Sequence, residues 1–332
     1  MVRVKMLWIL ILVAILSFPN GLAFSTKNQS TLTKHIITVD DEPGDADYTS
    51  IADALNHSSP GDTIEVFSGT YYDHGMSIMN DGITLIGVPH ELGNGSDTGK
   101  PFINGQGLSD VIDIRSKNVT VTDFHIENKG NNNYNQYIIT MISDANNCTV
   151  SNNTFIFSGN SIVYCSSSNN KIVNNIIRDA SLYCGIVIAY PGYYNTASGN
   201  TIDKCPEGIR VFGSKYNTIV GNLITYSNRF GVDVAGGREN LFQYNIFENN
   251  SEGFNIYQTA FNNIKENNFL HNSQSASFDS VNLWWTNRWL HNYWDRPRLL
   301  PYPIQGSNFI FHWVQFDWHP ALVPNKMPTR AS

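Results

Sequence analysis

Glu207, Asp233 and Glu252 are the carboxylates whose spacing lets them act as a set. Each lies beside one of four glycines, Gly185, Gly208, Gly231 and Gly253, that open short segments with apolar residues one and three positions on: Ile186 and Ile188, Ile209 and Val211, Val232 and Val234, Phe254 and Ile256. Such alternation is the period of a strand with one face in and one face out. If the segments stack in register, Val187, Arg210, Asp233 and Asn255 form one outward column, and Cys184, Glu207, Phe230 and Glu252 form another. Adjacent turns then lie about 4.8 Å apart and alternate turns about 9.6 Å, which brackets the carboxylate separations of retaining and inverting glycosidases. Glu207 and Glu252 make the best acid pair, with Asp233 a third catalytic candidate. The bland reading is two solvated glutamates at a bend and an Arg210–Asp233 surface ion pair worth about 0–1 kcal/mol. Arg210 and Asn255 are binding candidates. So are Tyr190, Tyr193 and Tyr194, whose rings suit sugar stacking or a loop laid over the coil.

Stacking is what a repeat would supply. Segments headed by Asn147, Asn170, Asn195, Asn217, Asn240, Asn262 and Asn287 follow one another at intervals of 23, 25, 22, 23, 22 and 25 residues, each with a second asparagine five residues on, from Asn152 to Asn292. Apolar residues recur two after the start (Ile172, Ile219, Phe242, Ile264, Trp289) and seven after it (Ile177, Ile202, Ile224, Phe247, Phe269, Trp294), so these are the expected core. Asparagine and glycine tolerate left-handed backbone angles and suit the bends between short strands. Stacked asparagines about 4.8 Å apart can also hydrogen-bond into ladders. Helical solenoids would show a 3.6-residue period, and propeller blades need roughly 40 residues each. The fold class is all-β, a right-handed parallel β-helix.

The remaining features bound the setting. The net charge of −7 offers no basic stripe for a nucleic-acid partner. Arg3 and Lys5 precede an apolar run from Leu7 to Phe18 and the small residues Gly21 and Ala23, the layout of a cleaved signal peptide. Secretion, or display on the outer face of the envelope with no membrane span after cleavage, follows. Cys148, Cys165, Cys184 and Cys205 fall at different repeat positions and read as buried thiols rather than bridges. Glycosylation sequons begin at Asn28, Asn56, Asn94, Asn118, Asn147, Asn152 and Asn249; Asn147 and Asn152, as ladder positions, are expected to stay unmodified.

Residues 35–107 read as strand, helix, strand, with Ser-Ile-x-x-Ala-Leu, Pro-Gly-Asp, a strand ending Gly-Thr-Tyr, and Ile-Thr-Leu-Ile-Gly. This opening resembles that of pectin-lyase-like β-helix proteins, particularly the NosD-type exported family, and Asn292–Asp295 (Asn-Tyr-Trp-Asp) is similar to the segment that closes NosD-like coils. The resemblance implies that Ile51–Leu55 caps the open end of the coil and that Trp284, Trp285, Trp289, Trp294, Trp313 and Trp318 belong to a closing cap. The chain divides into a signal peptide (1–23), a linker (24–34), an N-terminal cap with the first coils (35–107), repeats (108–283) and a C-terminal cap (284–332). The motifs of pectin methylesterases and polygalacturonases are missing, and no repeat clusters the aspartates of a calcium-dependent pectate lyase. No cofactor is expected, with copper or calcium as alternatives. The resemblance makes His291, His312 and His319 the place to look for copper, which needs converging imidazoles or thioethers. Four functions stay open: an exported protein binding a polysaccharide or cell-surface glycan, a polysaccharide lyase or glycoside hydrolase, a copper-delivery accessory protein, and a purely structural surface protein.

Overall fold

A computed structural model describes residues 35–129, 136–280, 286–308 and 312–327. The proposed signal peptide, the linker, Trp284 and Trp285 lie outside the described residues. The chain is a parallel β-helix in which each turn contributes short strands to three faces, forming a 22-stranded and a 10-stranded sheet. The larger sheet comprises two stacks, joined where Tyr302–Asn308 pairs antiparallel with His312–Asp317.

One stack, the long face, carries the glycine-led strands Cys184–Ala189, Glu207–Phe212, Phe230–Ala235 and Glu252–Tyr257, each six residues. The asparagine-led face and the third face are built of shorter strands such as Thr218–Val220 and Leu223–Thr225, three residues each. Expected core residues line the interior. Ile172, Ile219, Phe242, Ile177, Ile202 and Ile224 are all at 0% exposure, and they join one continuous cluster from Ile37 to Ile304. At the N-terminal end the helix Ile51–His57, capped by Ser50, buries Ile51, Ala54 and Leu55 in that cluster. At the other end Phe247, Phe269, Trp294 and Tyr302 stack at centroid distances of 5.0, 4.4 and 4.0 Å. Trp289 and Trp294 are buried in register with Ile264 and Phe269 of the preceding turn, whereas Trp318 is 63% exposed.

Both asparagine ladders form. In the second, the Asn200 side-chain amide donates to Asn222 Oδ1 at 2.9 Å, Asn222 to Asn245 at 2.9 Å, and Asn245 to Asn267 at 3.0 Å. Each amide also donates to a backbone carbonyl, as Asn222 does to Ala197 at 2.9 Å, so a buried polar group is satisfied on every side. The ladder ends on Asp317, which takes Asn292 Nδ2 at 3.1 Å and the Trp294 indole at 3.1 Å. A third, shorter run joins Ser227, Asn250 and Asn272.

Three expectations change. The first repeat is one residue later than its asparagines suggest. Cys148 and Asn153, not Asn147 and Asn152, pair with Asn170 and Asn175. Asn147 and Asn152 are exposed, so burial in a ladder does not shield either sequon. The ladder asparagines are also not the left-handed residues. The residue before each takes that role, as Asn169, Asn174, Tyr216 and Tyr244 do with φ of 61°, 56°, 59° and 55°. Finally, the glycine column is demanded by close approach rather than by φ: a Cβ on Gly208 would stand 2.5 Å from the Gly231 carbonyl oxygen, and one on Gly231 2.6 Å from that of Gly253. All four cysteines are buried and free, and burial pushes the Cys148 and Cys205 thiols up to about 11 and about 12.

Candidate functional site

The long face presents the two outward columns that the glycine spacing implies. Val187, Arg210, Asp233 and Asn255 are successive pairing partners and continue to Ser277. Cys184, Glu207, Phe230 and Glu252 form the neighbouring column and continue to Gln274. Longer strands add a third outward column in which Ala189 faces Phe212 and Ala235 faces Tyr257. Phe212 and Tyr257 are 53% and 45% exposed, and the Arg210 guanidinium sits 5.6 Å from the Phe212 ring centre.

The polar side chains form one continuous network. Arg229, in the turn before its strand, places Nη1 2.8 Å from Glu207 Oε1, and Arg210 Nη1 lies 3.4 Å from Oε2. The Cys184 thiol donates to the same Oε2 at 3.3 Å. Arg210 Nε reaches Asp233 Oδ2 at 3.4 Å, Asn255 Nδ2 donates to Asp233 Oδ1 at 2.8 Å, and the Ser277 hydroxyl donates to Glu252 and to Asn255 Oδ1. Glu207 is 0% exposed, which overturns the reading of both glutamates as solvated residues at a bend. It lies beneath the two guanidiniums and positions them, while Glu252 remains open to solvent in part. Burial raises the Asp233 carboxyl above the ordinary range, helped by the nearby Glu207 charge. Burial raises Glu252 as well, with Asp233 adding to the effect. Both therefore hold a proton to higher pH than a free carboxyl and suit proton donation.

An open pocket of about 310 Å3 adjoins this network, lined by Tyr137, Tyr164, Tyr183, Cys184 and Arg210 among others. Tyr137 and Tyr164 pack with centroids 5.2 Å apart, and Tyr183 is 43% exposed. Of the three loop tyrosines, Tyr190 borders the long face at 63% exposure, Tyr193 meets it edge-on at 6.3 Å, and Tyr194 turns to the corner to stack on Tyr216 at 5.0 Å. The structure thus gathers Arg210, Asp233, Glu252, Asn255 and Tyr190 along one face. Arg229, Phe212, Tyr257 and Ser277 escape sequence reasoning, although the Phe212–Tyr257 column is readable as four positions beyond each glycine.

The family described as periplasmic copper-binding protein (NosD) matches residues 92–310. The chain belongs to the NosD family. That family is periplasmic, and no helix among the described residues is long and apolar enough to cross a membrane. No curated protein matches this NosD-family chain. Among solved structures it is similar to a PL6 family alginate lyase, at 17% identity over 73% of this chain and 36% of the other with a TM-score of 0.56. It is also similar to the catalytic domain of a GH87 α-1,3-glucanase in complex with nigerose, at 15% identity over 87% and 50% with a TM-score of 0.52. At these identities the likeness is one of fold. The chain spans from about a third to half the length of these structures.

Copper asks for soft or imidazole donors converging on one point. The His291 and His319 rings lie 6.2 Å apart on the surface, while Met76 and Met141 are core residues and all four thiols are buried. Among the described residues, the groups of three His, Cys, Asp or Glu donors close enough to share an ion are carboxylates alone. Among the described residues, neither of these groups of three contains a histidine or a cysteine, so these groups do not fit copper.

Proposed function

We propose that this protein binds a polysaccharide along the outward columns of the long face, and that sugars carrying carboxylates are favoured. The observation that carries the reading is the pair Arg210 and Arg229, 30% and 51% exposed over the buried Glu207, with the exposed rings of Phe212 and Tyr183 beside Arg210 and that of Tyr257 farther along the same face. Guanidinium forks match carboxylates, and aromatic faces accept the apolar side of a sugar ring. A column that rises one residue per turn suits an extended polymer better than a small ligand.

Titration calorimetry with a polyuronate and with a neutral glucan tests this. Tyr257→Ala is expected to weaken polyuronate binding several-fold, and Arg229→Lys, which keeps a charge opposite Glu207 but loses the fork, by about tenfold, or ~1.4 kcal/mol. Absence of binding to either polymer, or unchanged affinity in both variants, overturns the proposal.

A catalytic reading of the same face draws on the raised carboxyls of Asp233 and Glu252. It predicts release of unsaturated products or new reducing ends from the polymer, abolished by Glu252→Gln. Bound polymer that stays intact removes this second reading and leaves the first.

A further inference from the structure

Far from the long-face network, the N-terminal cap gathers carboxylates that neither the fold nor the proposed binding face uses. Asp40 follows the first strand, Ile36–Val39, and begins a loop that closes when the Asp40 amide donates to the Tyr48 carbonyl at 3.1 Å. Ligand atoms of Asp40, Asp41 and Glu42 lie within 4.8 Å of one another, as do those of Glu42, Glu91 and Asp97. Glu91 and Asp97 come from a second loop, folded by Glu91 accepting the Leu92 and Asp97 amides at 3.2 and 3.0 Å. Glu42 belongs to both groups, so the two loops present one continuous set of oxygens.

The independent observation is Asp40 itself. Its side chain is at 0% exposure, and neither carboxylate oxygen receives a hydrogen bond. Asp41 Oδ1 and Glu42 Oε2 are likewise buried without a donor, even though Asp41 Oδ2 takes the Thr70 amide at 2.9 Å. Among the described residues, no lysine, arginine or histidine forms an ion pair with any of these five acids. Backbone room is kept for them too, since a Cβ on Gly69 would collide with Asp41 Oδ1. A buried carboxylate without donors and ringed by like charge is strongly unfavourable unless a proton or a cation joins it.

We propose that Asp40, Asp41, Glu42, Glu91 and Asp97 hold a calcium ion that ties the loop after the first strand to the loop around residues 91–97. Calcium accepts six to eight oxygens at about 2.3–2.6 Å in irregular arrangements, which suits the spacing of up to 4.8 Å within each group of three, and Glu42, common to both groups, links the two loops. Magnesium demands a tighter octahedron, and copper prefers nitrogen and sulfur. This site is independent of the polysaccharide reading.

The test uses the full chain stripped with chelator, followed by equilibrium dialysis against calcium or magnesium and thermal unfolding with and without calcium. We expect calcium uptake with a dissociation constant on the order of 10⁻⁴ M or tighter, a raised unfolding temperature, and magnesium bound at least about tenfold more weakly. Asp97→Asn alters an exposed ligand, so it should fold as the parent does and lose about tenfold in calcium affinity. Asp40→Asn removes the buried charge and should melt higher than the parent in chelator while gaining nothing from calcium. No calcium uptake at about 1 mM, or uptake undiminished in Asp97→Asn, overturns the assignment.

Discussion

The asparagine ladders and the long face use the same stacking for opposite ends. Along the second ladder each turn repeats the last: Asn200, Asn222, Asn245 and Asn267 make the same contacts with their neighbours, and every amide is satisfied. Along the outward column of the long face nothing repeats, and Val187, Arg210, Asp233, Asn255 and Ser277 occupy equivalent positions with five different chemistries. Repetition marks what holds the coil together, and departure from repetition marks where it meets a ligand. The comparison is open to attack from both sides.

The largest expected effect is at a ladder interior. Asn222→Ala leaves the Ala197 carbonyl and the Asn200 amide without partners, and should destabilise the protein by about 3 kcal/mol in denaturant unfolding. Asn152→Ala, outside the ladder but at a left-handed φ of 57°, should cost only about 1 kcal/mol, and a loss equal to that of Asn222→Ala would refute the register. Gly208→Ala should come next, at about 1–3 kcal/mol, because its methyl meets the carbonyl of the next turn.

Smaller still are effects on the long face. Phe212→Ala, at an exposed ring beside Arg210, should weaken polymer binding several-fold and leave the unfolding midpoint unmoved. A weaker signal should appear in pH dependence. Asp233 and Glu252 have folded pKa values raised above their ordinary values of 3.8 and 4.5. The folded state therefore holds their protons more firmly than the unfolded chain does. Their favourable contribution is complete below the ordinary carboxyl range and is lost as pH rises through the raised values. Melting curves across that window should show the parent losing stability faster than the Asp233→Asn, Glu252→Gln double variant, and identical slopes would contradict the assigned shifts.

Most of the repeat was legible because its signals are short-range and recur. Period-two alternation after Gly185, Gly208, Gly231 and Gly253 fixed the strands, and the interval between glycines fixed which outward residues become neighbours. The slip at the first repeat arose because Cys148 stands where later turns have the first asparagine, leaving Asn147 just before it as a decoy, and because Asn152 and Asn153 are adjacent, so composition cannot choose between them. Only the hydrogen bonds to Asn170 and Asn175 decide it. The burial of Glu207 was not legible, because it depends on Arg229 swinging in from a turn outside the alternating segment. The carboxylates of the N-terminal cap were hidden for a related reason: Asp40 and Glu91 lie in separate loops with no shared period, and only the tertiary fold brings them together.

The most direct test of the central claim is polyuronate binding by titration calorimetry, comparing two tyrosine variants. Tyr257 belongs to the unrepeated long face, whereas Tyr244 lies at the corner between the other two faces. The account predicts that Tyr257→Ala loses affinity several-fold while Tyr244→Ala binds as the parent does. Equal affinities in the two variants, or a larger loss in Tyr244→Ala, would contradict it.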